Sequence, residues 1–415
     1  MKFKISYIVL CICSLTLQPL FAADDGKVTA GADELLAEHF DLIRGKNIAI
    51  VTNHTAVLSS GIHLVDTLFA RNDVTITALF GPEHGIRGDA PDGLTIKDGI
   101  DTKTGLPVYS LYGKTRKPNR EMLQNTDVIL FDIQDIGARF YTFISTLYYT
   151  IEAAADYDIP LIILDRPNPI GGIKVDGPIR SDDLKSFVAI APIPIVHGMT
   201  IGELALMFNG ESMTESDNKA DVTVIKMKHW QRDFYYDDCG LKWINPSPNM
   251  NSLNTAIVYP GMCLIEGINV SEGRGTFTPF LKIGAPYINS ELLISELSGF
   301  GIEGIKINPV NFSPKSIEKM SVNPKYKNEI CNGIELNVTD REKFEALKFG
   351  VILIYAIHKL YPEKFEFRNN WLDKLFGRTY LREMISNNRQ PSEIFEKWVD
   401  DVQKFRNLRE KYLLY

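Results

Sequence analysis

Short runs of uninterrupted apolar residues, each followed by a helix-like stretch, are the feature that most restricts how this chain can fold. NIAIVTN at 47–53, VTITALF at 74–80, DVILFD at 127–132 and PLIILD at 160–165 read as strands without a polar face. A fifth strand is expected to end in IPIV at 193–196 and a sixth to run from 222 to 227. Strands buried on both sides belong to mostly parallel sheets covered by helices. The intervening segments 34–44, 62–70 and 140–157 have helical character, and Thr200 with Glu203 forms a capping-box pattern ahead of a helix through Phe208. This order predicts an α/β fold, a Rossmann-like doubly wound mostly parallel sheet. The Gly- and Asp-rich stretch 81–105 reads as a long loop, a kind of segment that is often functional. After Gly273 the texture changes: helix at 290–300, strands at 305–311 and 333–339, a strong helix at 343–360 and two further helices. A smaller C-terminal α+β domain is expected there, with the boundary near 283, so that 24–283 and 284–415 form the two domains.

The N-terminus carries Lys2 and Lys4, then a mostly apolar stretch to Phe21, then Ala22-Ala23 before two aspartates. That charged, apolar and small-residue order is expected of a signal peptide over 1–23, cleaved to give a periplasmic or secreted protein. Its serines, cysteines, Gln18 and Pro19 make it a poor membrane span, so stable membrane insertion is not expected. Three cysteines follow, Cys239, Cys263 and Cys331, too far apart for a C-x-x-C site and expected to be buried free thiols. The formal net charge is -7. An acidic chain without a basic run is a poor nucleic-acid binder, because phosphate contacts supply most of that affinity.

Ligands of open α/β sheets bind beyond the carboxyl ends of the strands. Reading those ends collects Asn53 and His54; Glu83, His84 and Arg87; Asp132, Gln134, Asp135 and Arg139; Asp165, Arg166 and Asn168; and His197. Glu83 is the leading acid/base candidate, since a partly buried carboxyl can hold a proton for a leaving group. His84 can orient it or bind substrate, and Asp132 is the second catalytic candidate. Arg87 and Arg139 are candidates for an anionic group, the alternative being pairing with Asp89 or Asp135. Asp132, Asp135 and Asp165 can equally form a structural network that holds Arg139 and Arg166. Farther on, Asn249 and the cluster Glu266, Asn269, Glu272 and Arg274, set among glycines, suit a binding loop near the domain boundary.

No G-x-G-x-x-G follows the first strand and no P-loop occurs, so no nucleotide cofactor is expected. The seven histidines are scattered and no H-E-x-x-H occurs, so no metal site is expected either.

GPEHGIRG at 81–88, FDIQDIGARFYT at 131–142, DRPNPIGG at 165–172, SPNM at 247–250, EGINVSEGRGT at 266–276 and YLLY at 412–415 carry a family resemblance. Over essentially the whole mature chain they resemble the exported bacterial exo-β-N-acetylmuramidases of the NamZ type. The resemblance implies removal of terminal N-acetylmuramic acid from the non-reducing end of peptidoglycan-derived saccharides, in cell-wall turnover. It also implies a Rossmann-like catalytic domain, an auxiliary C-terminal domain and an active site in the cleft between them, with Glu83 as the catalytic residue. One departure is local: TNHTA at 52–56 stands where TNPTG is common in the family. The muramic lactyl carboxylate gives an arginine in the cleft a role, because bidentate Arg–carboxylate bonds are strong and directional. Two other readings remain, an exported metal-dependent esterase or deacetylase and a non-catalytic wall-sugar binding protein. The density of ionisable residues argues against pure binding.

Overall fold

The structure, a computed structural model, describes residues 26–88, 98–368 and 370–415. The expected signal segment 1–23, the middle of the 81–105 loop and Asp89 lie outside the described residues.

The larger sheet has seven strands: β1 (Asn47–Thr52), β2 (Thr75–Gly81), β3 (Gly99–Ile100), β4 (Pro107–Ser110), β5 (Val128–Asp132), β6 (Leu161–Leu164) and β7 (Val222–Ile225). Their order is β3-β4-β2-β1-β5-β6-β7, parallel throughout except for β3 against β4. Alternate residues of each central strand go to opposite cores. Ala49, Val51, Phe80, Ile129, Phe131 and Ile163 join one apolar cluster, while Ile48, Ile50, Leu79, Val128, Leu130 and Ile162 join the other. The first face is covered by helices Phe143–Tyr157 and Ile201–Gly210, the second by Gly31–Ala37 and Leu64–Phe69. Both faces are therefore dry, as the unbroken apolar runs require. The helix at Ile201 starts as expected. Thr200 Oγ1 accepts from Glu203 N at 3.2 Å and Glu203 Oε2 accepts from Thr200 N at 3.0 Å.

Two expectations fail here. Residues 193–196 form no strand of the sheet. Pro194 offers no N–H, and Val196 makes only isolated bridges to Ala138 and Asp176. The stretch 81–105 is also not one loop, since it contains β3 and leads into β4, which together form the far edge of the sheet.

The second sheet, β8 (Lys282–Ala285), β9 (Ile305–Phe312) and β10 (Cys331–Val338), is antiparallel in the order β8-β10-β9. Helices Ser290–Ser298 and Ala346–Leu360 pack in this half. Four helices follow to the C-terminus, Trp371–Phe376, Tyr380–Ser386, Pro391–Glu396 and Val399–Arg409, where two were expected. The helix Leu253–Met262 crosses Ala346–Leu360 at glycines. A Cβ on Gly261 would strike the Ala346 carbonyl, and one on Gly350 would strike the Gly261 backbone. Cys239, Cys263 and Cys331 are buried free thiols. No helix of the described residues is long and apolar enough to cross a membrane.

Candidate active site

The strand ends deliver their polar residues as expected, but most of them form a buried frame. Thr52 and Asp132 are register partners at the ends of β1 and β5. Asp132 is fully buried and grips Arg166 bidentately, at 2.5 Å to Nε and 2.9 Å to Nη2. Its oxygens are thus engaged by a partner from the adjacent strand end, and it does not line the cavity that holds Glu83 and His84, which places it in the frame and away from the catalytic position expected for it. Asp165 caps the next helix: it accepts from Thr200 Oγ1 at 2.7 Å, Gly202 N at 2.8 Å and the Tyr415 hydroxyl at 2.7 Å. Burial pushes its pKa up to about 7, against the pull of those donors.

Asn53 shapes a turn, its Oδ1 accepting from Thr55 N and Oγ1 at 3.0 and 2.5 Å. Gln134 donates to the Asp135 and Pro167 carbonyls, and Asn168 to the Met199 carbonyl. Asn249 donates to Met320 O at 3.0 Å. Asn269 holds Lys364 O, the Tyr287 hydroxyl and Glu366 N. These five residues act on the backbone around the site and do not line its cavity.

The arginines divide in the same way. Arg87 is bound to Asp101 at 3.0 and 2.8 Å and to Asp66 at 3.0 Å, and its guanidinium holds the Asp101 carboxyl down at about 2. Among the described residues Arg139 pairs with no aspartate. It is buried and donates to the carbonyls of Pro178, Ile193, Leu375 and Phe376, at 2.7, 2.7, 3.0 and 2.7 Å. Neither faces the cavity, so neither can meet a ligand there.

The cavity itself measures 590 Å³ and lies between the two halves of the chain. Glu83 and His84 enter from the turn after β2, closed by a hydrogen bond from Gly85 N to Pro82 O at 3.0 Å. His84 has φ 73°, at the turn position that ordinarily takes glycine, and this places Glu83 at the tip. A non-glycine residue held there costs about 1–3 kcal/mol, a strain typical of functional sites. Glu83 Oε2 accepts from Thr142 Oγ1 at 3.0 Å, which orients the carboxyl.

The C-terminal half supplies the opposing chemistry. Arg274 Nη2 donates to Glu266 at 2.9 Å, its Nε lies 3.6 Å from Glu272, and its guanidinium sits 5.1 Å above the Phe280 ring. Lys325 donates to the carbonyls of Ile265, Ile268 and Val270, each at 2.8 Å, and approaches Glu272 Oε2 at 3.0 Å. Burial raises the Glu272 pKa, but Lys325 and Arg274 outweigh it and hold the carboxyl below its ordinary value. Aromatic rings complete the wall: Phe140 and Phe280 each meet Tyr259 edge to face, at 5.3 and 4.9 Å, and Trp371 lines the cavity as well.

Sequence reasoning therefore found Glu83, His84, Glu266, Glu272 and Arg274, and missed Thr142, Lys325, Arg368 and Trp371. Thr142 lies within the FDIQDIGARFYT motif, whereas the other three stand in no motif-like setting. A second cavity of 600 Å³, between Lys174, Phe344 and Trp398, contains none of the expected site residues. Among the described residues no group of three or more His, Cys, Asp or Glu side chains is placed to hold a metal ion.

Fold and site define a two-part α/β protein with a ligand cleft beyond the carboxyl ends of parallel strands, one wall of which is built by the C-terminal half. The chain belongs to the exo-beta-N-acetylmuramidase NamZ family: the N-terminal family model matches residues 48–254 and the C-terminal one residues 257–415. It is 47% identical over 390 residues to the Bacillus subtilis (strain 168) protein named peptidoglycan beta-N-acetylmuramidase NamZ, covering 94% of this chain and 92% of that one. Two crystal structures of DUF1343 family proteins from Bacteroides fragilis NCTC 9343 have the same fold. They superpose with TM-scores of 0.86 and 0.78, at 35% and 38% identity, each over 94% of this chain and 99% of the other.

Proposed function

We propose that this protein is an exo-acting glycoside hydrolase that releases terminal non-reducing N-acetylmuramic acid from peptidoglycan-derived saccharides. The observation that carries the reading is one cavity holding both an oriented carboxyl, Glu83, and an arginine–lysine cluster around Arg274. Glycoside hydrolysis needs a proton for the departing oxygen. Glu83 delivers it, and the Thr142 hydroxyl keeps the carboxyl aimed. Arg274 recognises the lactyl carboxylate, exchanging its bond to Glu266 for one to the substrate. The aromatic wall receives the faces of the sugar ring. Family membership and the named activity of the Bacillus subtilis relative support the same assignment. The charged, apolar and small-residue order of the first 23 residues supports export, where such fragments arise.

The test is a comparison of glycosides. Well-folded mature protein should release free N-acetylmuramic acid from a muramic acid–glucosamine disaccharide and from the non-reducing end of longer chains, and should leave the matching glucosamine glycoside largely intact. Turnover of neither muramic substrate, or equal turnover of both sugars, would refute the assignment.

A further inference from the structure

Phe277 is 79% exposed, the most exposed large apolar side chain among the described residues. It is not on a frayed segment. Around it, Thr276 N and Oγ1 donate to Gly273 O, Lys315 N donates to Gly275 O, Asn251 Nδ2 donates to Phe277 O at 2.8 Å, and Phe280 N donates to Glu272 O. The loop is thus fixed on both sides of a ring that it holds in solvent.

Its loop borders the candidate site, although Phe277 itself does not line the cavity. Arg274 and Phe280, three residues to either side, both line the cavity, as does Met250 beside the Asn251 that holds the Phe277 carbonyl. Gly275 packs on the 321–325 segment, where a Cβ would lie 2.6 Å from Pro324. That segment exposes a second apolar side chain, Val322, 53% exposed and itself lining the cavity.

We propose that Phe277, together with Val322 on the segment against which Gly275 packs, is the platform for the sugar on the reducing side of the scissile bond. This rests on the muramidase reading. An exo-acting enzyme buries the terminal sugar, so the rest of the chain must leave through the mouth, and a β-linked pyranose presents a face of axial C–H groups that packs on an aromatic ring. The ring therefore selects for the leaving group and not for the muramic acid.

The experiment compares Phe277→Ala and Phe277→Trp with the parent on two substrates, the muramic acid–glucosamine disaccharide and methyl β-N-acetylmuramide, whose leaving group is methanol. The alanine variant should lose about three- to tenfold in kcat/KM on the disaccharide. It should be unchanged on the methyl glycoside, and tryptophan should keep the parent value on both. Equal loss on both substrates, or no loss on the disaccharide, overturns the platform. A parent protein inactive on both overturns the muramidase reading instead.

Discussion

Two of the four carbonyl bonds of Arg139, to Leu375 and Phe376, tie the loop after β5 to the C-terminal half, the other two hold Pro178 and Ile193, and the removal of all four should be felt by the whole molecule. Leu375 and Phe376 end the helix Trp371–Phe376, whose Trp371 and Leu375 line the cavity, so the clasp also sets one cavity wall. Gly377, at φ +80°, closes that helix, and a Cβ there would lie 2.6 Å from Arg139 Nη2. Burial, then the nearby Arg180 and Arg378, lower the Arg139 pKa to about 9, which leaves it charged at neutral pH. Hydrogen bonds to a charged group contribute about 1.5–3 kcal/mol each, so the four bonds sum to about 6–12 kcal/mol. Dehydrating an uncompensated guanidinium takes back several kcal/mol. Arg139→Met removes that cost but leaves buried carbonyls without their donor. We expect a net loss of about 3–5 kcal/mol, the range found when one partner of a buried charged contact is deleted. Arg139→Lys should fall between, because an ammonium cannot reproduce the planar fork. Urea unfolding followed by fluorescence and by activity measures both variants, and the methionine variant should also raise KM through the displaced cavity wall. A methionine variant within about 1 kcal/mol of the parent, well below that range, would refute the clasp.

Thr142→Val should lower kcat about fivefold with KM unchanged, as expected from losing one orienting hydrogen bond of about 1 kcal/mol, and Thr142→Ser should restore it. Arg274→Ala should narrow the kcat/KM ratio between muramic and glucosamine glycosides by about ten- to a hundredfold, chiefly by harming the muramic one; an unchanged ratio would place the carboxylate elsewhere. Asp135 and His197 should give opposing pH dependences. Burial raises Asp135 from 3.8 to about 7, so its contribution to stability grows as pH falls through that interval. Burial lowers His197 from 6.5 to about 3, so its contribution shrinks as pH falls through that interval. The two nearly cancel where the intervals overlap. Asp135→Asn should therefore lose up to about 1.4 kcal/mol per pH unit on acidification through the overlap, relative to the parent, in urea midpoints measured across pH.

The central strands were legible because burial on both faces leaves a continuous apolar run bounded by turn residues. β3 and β4 were not, since a two-residue strand and the part-exposed PVYS carry no such signal. The run at 193–196 misled for the converse reason: it is apolar because it is buried beside Ala138 and Asp176, without sheet partners. At the site, strand-end logic located the polar residues but did not decide their use. Whether an arginine meets a ligand depends on the carboxylates or carbonyls that reach it first, as Asp101 and Asp66 reach Arg87 and four carbonyls reach Arg139. The Asp132–Arg166 pair had a readable signal, opposite charges at the ends of two runs that a parallel sheet sets side by side. Lys325 had none, since its role comes from three carbonyls of a segment about 60 residues earlier in the chain.

The central claim is that Glu83 gives the proton to the leaving sugar. The direct test is kcat of Glu83→Gln on the muramic acid–glucosamine disaccharide and on a nitrophenyl muramide, with folding checked by circular dichroism. A positioned acid contributes roughly a hundred- to ten-thousand-fold. The disaccharide rate should fall within that range, and the nitrophenyl rate should fall less because its leaving group needs less protonation. A variant that keeps more than about a third of the parent rate on the disaccharide, against that range, would contradict the account.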